Sequence, residues 1–131
     1  MSEDVGGPLL EADSRSRILS LFAALAAYIT ASLLLADAVI GLLAAASVGI
    51  GVRIYSQYHV SKANTEGRGS SLASHPMAGG YHYGAVGGAL VIGPLVATAV
   101  GVSGPGRLVV VGVGVVAGLV TYAGLRAILP R

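Results

Sequence analysis

The side chains able to do chemistry in this chain are few and scattered. His59, His75 and His82 stand 16 and 7 residues apart in a polar stretch. A metal site needs ligands at fixed geometry with carboxylate or thiolate support, and the chain has no cysteine. That spacing predicts no metal site. Tyr81-His82-Tyr83 opens an apolar run, the position where amphipathic rings anchor a span at the membrane interface. Serines are frequent, but no nucleophile, base and orienting group assemble from them. No catalytic residue is assigned, and an enzyme is not expected. Residues 108–118 read LVVVGVGVVAG, which imitates a strand feeding the dinucleotide fingerprint G-x-G-x-x-A. That fingerprint needs an acidic residue about 20 positions further on. Only 13 residues follow Gly118 and none is acidic, so no cofactor is expected.

Two isolated charges remain. Asp37 is the single charge between Ile18 and Val52. A carboxylate is costly inside a bilayer, so Asp37 is a buried polar candidate that must face a partner, a pore or water. Arg53 and Arg107 are the candidate partners. Arg107 closes Ser103-Gly104-Pro105-Gly106-Arg107, a tight turn by composition. It serves either as a loop charge that touches lipid headgroups or as the basic lining of a channel.

The elements that carry these residues follow from composition. Only 11% of the 131 residues are charged, against roughly 25% in a soluble domain. Such a chain cannot cover its own surface in water. The net charge of +2, with no dense basic cluster, excludes a nucleic-acid-reading surface. Residues 1–17 form a polar, acidic tail, with Asp13 or Ser14 placed to cap the helix that follows. The acidic tail and the length of the next run separate it from a secretory signal.

Residues 18–55 are expected as a long apolar helix. Ile18–Val52 alone would be ~52 Å long, whereas a bilayer core needs ~30 Å. The run is therefore one overlong helix, a kinked helix, or a span with an extension. Residues 56–82 form a polar connection. Residues 83–129 form an apolar helical hairpin, turning at 103–107 and kinked at Pro94. Isolated strands cannot span lipid with their backbone groups unpaired. The fold class expected is all-α, with integral membrane helices. With three spans, Arg15, Arg17 and Arg107 lie on one side. Arg53, Lys62, Arg68, Arg126 and Arg131 lie on the other, which places the connection and C-terminus inside.

Small residues recur every fourth position. Gly84 and Gly88 continue a series from Gly80. Gly93 and Gly101 flank Ala97, and Gly114 pairs with Gly118. Gly41, Ala45 and Gly49 share a face with Asp37, while Ala23, Ala27 and Ala31 form another. Such faces let helices approach closely in lipid, where the hydrophobic effect gives no help. Several faces in one short chain require several neighbours, which points to a homopolymer or a multi-subunit complex.

Gly104-Pro105-Gly106-Arg107, the run from Leu108 to Val120, and Gly124 together resemble the conjugative (type IV secretion) pilin family. In that family two Gly-rich apolar helices flank a short basic loop. Seven of the eight basic residues are Arg, and there is one Asn, one Gln and no Cys. Few thermolabile side chains fit a thermophile; a GC-rich genome gives the same bias. Within the family the resemblance is nearest to archaeal Ced-type DNA-import pilins. It implies a hollow filament with phospholipid held structurally between subunits. DNA would be cargo without sequence reading, and secretion machinery a partner. Arg107 would face the lumen or its headgroups. The membrane would hold a pool of subunits, assembled as an extracellular pilus. Against this stand two other readings: an accessory subunit of a respiratory or transport complex, and an archaeal virus coat protein.

Overall fold

The computed structural model describes residues 2–66 and 81–129. They form four helices: α1 (Ser2–Leu35), α2 (Ala38–Glu66), α3 (Tyr81–Gly101) and α4 (Arg107–Ile128). No strand occurs among the described residues. Each helix contains a stretch long and apolar enough to cross a membrane, from 19 to 22 residues. This is a membrane-associated helical protein.

Successive helices pack antiparallel, α1 on α2, α2 on α3, and α3 on α4. The inner pair is buried over 28% and 33% of its spans, the outer pair over only 6%. The path therefore runs as a serpentine row, with α1 and α4 at the edges. Both hairpin turns lie at one end. The N-terminal part of α1 and the C-terminal end of α4 lie at the other, with the ends of α2 and α3 that the 67–80 connection joins.

The single long helix over 18–55 is corrected to two helices joined at Ala36-Asp37. The length mismatch with a bilayer is resolved by folding back rather than by tilting or overshooting. Ala36 adopts a left-handed conformation (φ 50°). The Asp37 amide donates to the Ser32 carbonyl at 3.3 Å. A left-handed residue followed by this long-reaching bond is a Schellman stop, here with alanine where glycine is usual. Asp37 then caps the next helix at once. Its Oδ1 accepts from the amides of Val39 (3.0 Å) and Ile40 (3.3 Å).

The polar tail over 1–17 is also corrected. α1 begins at Ser2 and runs unbroken through Asp13 and Ser14, so neither starts a helix. The 56–82 connection is shorter than expected, because α2 continues to Glu66. Residues 67–80, with Arg68, His75 and Gly80, lie outside the described residues.

The C-terminal hairpin takes its expected form. Gly104 and Gly106 have φ of 79° and 97°, values glycine reaches without steric cost. The Gly104 amide donates to the Gly101 carbonyl at 3.0 Å, and the Val110 amide to that of Gly106 at 3.1 Å. Arg107 is the first residue of α4 rather than the last of the turn.

Pro94 lies inside α3 and has no amide to give the Leu90 carbonyl. The Ser47 hydroxyl of α2 donates to that carbonyl at 2.7 Å. A neighbouring helix thus satisfies the group that proline leaves open, as lipid cannot.

Candidate functional site

The hairpin end holds an ion pair between its two turns. The Arg107 Nε donates to Asp37 Oδ2 at 2.8 Å, and its Nη2 to Asp37 Oδ1 at 3.1 Å. This two-pronged geometry suits a planar guanidinium and a carboxylate. Of the two arginines considered as partners for Asp37, the structure pairs Arg107. The pair ties the first hairpin turn to the second across 70 residues of sequence.

Electrostatics explains the placement. Arg107 stands at the N-terminus of α4, where the helix dipole disfavours a cation. Asp37 offsets it, and also sits at the N-terminus of α2, where an anion is favoured. The hydrogen bond from Arg107 is the main cause that holds the Asp37 carboxyl below its ordinary pKa. Burial opposes it, while the Ile40 and Val39 amides and the arginine charge reinforce it. Arg107 keeps 57% of its side chain exposed, yet its charge is matched by Asp37. The turn presents an ion pair to its surroundings, and the net charge of the two residues is zero.

The predicted packing residues lie mainly between helices of the same chain. On α2, a Cβ at Gly49 would stand 3.1 Å from that of Ala24, and one at Gly41 would meet the Ser32 side chain of α1. Ala45 is half-buried. On α3, Gly84 lies against Tyr58 and Leu129, Gly88 against Leu125, and Gly101 against Leu35 and Val110. A Cβ at Gly93 would stand 2.8 Å from the Gly114 carbonyl oxygen and 3.5 Å from Gly118. Ala31, Ile40, Ala44, Ala97 and Val110 form the buried cluster under the turns. The neighbours that these faces require are therefore already supplied by the fold.

Fourfold spacing missed the tightest approach of backbone between hairpins. A Cβ at Gly87 would lie 2.7 Å from the Tyr55 amide nitrogen and 2.8 Å from the Gly51 carbonyl oxygen. Gly87 is one position off the Gly84–Gly88 rhythm, because α3 has two small faces, one for α2 and one for α4. Gly84-Ala-Val-Gly87-Gly88 contains that signal as a glycine triplet spread over two faces.

An apolar groove of about 490 Å³ runs between α2, α3 and α4, with Leu43, Ser47, Pro94, Gly118 and Leu119 among its walls. It lies within the span-length segments, and its walls are almost wholly apolar. Gly104 and Pro105 sit in the exposed turn and Gly106 caps α4. Among the described residues, no three His, Asp or Glu side chains gather in a metal-binding group. His59 is exposed near the far end of α2.

No family model matches the chain, and neither a curated protein nor a solved structure matches it.

Proposed function

We propose that this protein is a structural pilin, a non-enzymatic subunit that polymerises from the membrane into a lipid-containing, conjugation-like filament for DNA transfer or import. The observation that carries the reading is on α4. Gly112 and Gly124 have nothing within 4 Å of the position where a Cβ would stand. Glycine within a helix costs about 1 kcal/mol relative to alanine, and internal packing accounts for Gly114 and Gly118 but not for these two. An approaching helix of a second copy gives both a purpose. The exposed apolar faces of α1 and α4 supply the remaining contact surface, and lipid chains fill the groove against α3.

Four helices, rather than the two of the pilin resemblance, make α3 and α4 the counterpart of the pilin hairpin and α1 and α2 an additional layer. The intramolecular match of Arg107 with Asp37 lowers the net charge that the turn would bring to a lumen. DNA passage in this reading relies on lipid headgroups as well as Arg107. The accessory-subunit reading loses its main support in the same pair, since Asp37 has a partner within the chain.

The test is electron microscopy of material sheared from producing cells, with mass spectrometry of any filament. Thin filaments built of this chain, without capsid proteins or a packaged genome, are expected. Recovery of the chain only in detergent-solubilised membrane, bound to other subunits with no filament, would overturn the proposal.

A further inference from the structure

Folding residues 18–55 into two spans moves Arg15 and Arg17 to the same end as Arg53, Lys62 and Arg126. Measured along each helix from the hairpin end, Arg17 stands ~27 Å away, Arg53 ~22 Å and Arg126 ~28 Å. These distances approach the far edge of a hydrocarbon core ~30 Å thick, within reach of headgroups for arginines with long apolar stems. Among the residues whose side chains are described, Arg15, Arg17, Arg53 and Arg126 thus belong to the open end and Arg107 to the hairpin end.

Four of the five tyrosines whose side chains are described mark the same boundary, Tyr28 lying mid-span on α1. Tyr55, Tyr58, Tyr83 and Tyr122 belong to the open-end portions of their helices, and Tyr55 and Tyr83 are exposed. Rings of this kind collect at the interface between hydrocarbon and headgroups. The Tyr55 and Tyr58 rings lie 6.0 Å apart, tilted against one another.

Lysine and arginine near span ends are retained on the cytoplasmic side, and acidic neighbours change that bias little. We propose that the chain inserts with its open end, where the described parts of α1 begin and of α4 end, at the anionic cytoplasmic leaflet. Arg15, Arg17, Arg53 and Arg126 meet headgroup phosphates there. The Asp37–Arg107 end emerges on the opposite face. The orientation rests on the four spans and not on filament formation. It reverses the side that three spans would give the N-terminus.

The absence of cysteine makes the test direct. Single variants Ser103→Cys, in the exposed second turn, and His59→Cys, exposed near the open end, are made in the full chain. Cells sheared free of surface filaments are treated with a membrane-impermeant maleimide before and after permeabilisation. Ser103→Cys is expected to label in intact cells and His59→Cys only after permeabilisation. The reverse pattern overturns the orientation. Labelling of both in intact cells overturns the four-span path as well. Val102→Cys and Gln57→Cys, both at exposed positions, repeat the measurement should either first variant fail to accumulate.

Discussion

The two hairpins solve one problem with opposite means. The first reverses direction in two residues and places alanine in a left-handed conformation. The second uses five residues, Val102–Gly106, with glycine at both positive-φ positions. Along their lengths the contrast inverts. At Gly93 the α3–α4 hairpin brings backbone within 2.8 Å of a missing Cβ, whereas Gly49 of α1–α2 faces an alanine methyl at 3.1 Å. The first hairpin is tight at its turn and meets only a methyl at Gly49; the second is relaxed at its turn and meets backbone at Gly93. Steric demand has been placed in different parts of two similar motifs, so a given substitution should act differently in each.

The largest expected effect is at the seams. Gly93→Ala puts a methyl against the rigid Gly114 backbone and should destabilise by about 2 kcal/mol. Gly49→Ala meets a softer contact, and the gain of about 1 kcal/mol in helix propensity should leave it near neutral. Unfolding in mixed micelles by added dodecyl sulfate, followed by circular dichroism, measures both. Equal losses at the two sites would remove the contrast.

At the turns the signs should oppose. Ala36→Gly relieves a left-handed alanine and should stabilise by about 1 kcal/mol. Gly104→Ala imposes the same conformation on a residue with a Cβ and should destabilise by about 1 kcal/mol. The same unfolding assay decides; destabilisation by Ala36→Gly would mean that the first turn is not strained.

A smaller effect is expected where the hairpins meet. Ser47→Ala removes the hydroxyl from the Leu90 carbonyl and should cost about 0.6 kcal/mol, typical of interhelical hydrogen bonds in membranes. In a Pro94→Ala background that loss should vanish, since residue 94 then supplies its own amide. A double-mutant cycle without coupling would show that the two residues act independently.

The ion pair should give the smallest change, visible in pH dependence. The pKa of Asp37 is lowered in the folded state. Its contribution is therefore present above the ordinary carboxylate pKa and is lost as pH falls through the lowered value. Comparing unfolding at neutral and acid pH should show this loss in the parent chain, and less of it in Asp37→Asn.

Much of the helical content could be read from the sequence, because apolar runs of about 20 residues leave few alternatives in lipid. The second turn was readable for the same kind of reason: Gly104-Pro105-Gly106 announces its backbone angles. The first was hidden. Ala36 gives no turn signal, and Asp37 read as a charge in need of a partner rather than as the cap that starts α2. Missing that reversal miscounted the spans and assigned Arg15 and Arg17 to the wrong end. The small-residue faces on α2, α3 and α4 were visible as spacing, yet spacing does not say whose helix fills them. Gly87 escaped because its face is offset by one residue from the more regular one. The pairing of Asp37 with Arg107 depends on two turns meeting in space, and only the choice between two arginines could be drawn from the chain itself.

The bond from Ser47 to the Leu90 carbonyl has a consequence in time. A ribosome delivers α2 before α3, so the hydroxyl is already in the bilayer when the proline-containing segment arrives. α3 completes its hydrogen bonding only on docking beside a helix made earlier. Delivered alone, or ahead of α2, the same segment would enter lipid with a bare carbonyl. Gene fragments that begin after the first hairpin should therefore yield a product that quality-control proteases clear, and supplying the first hairpin from a separate message should spare it.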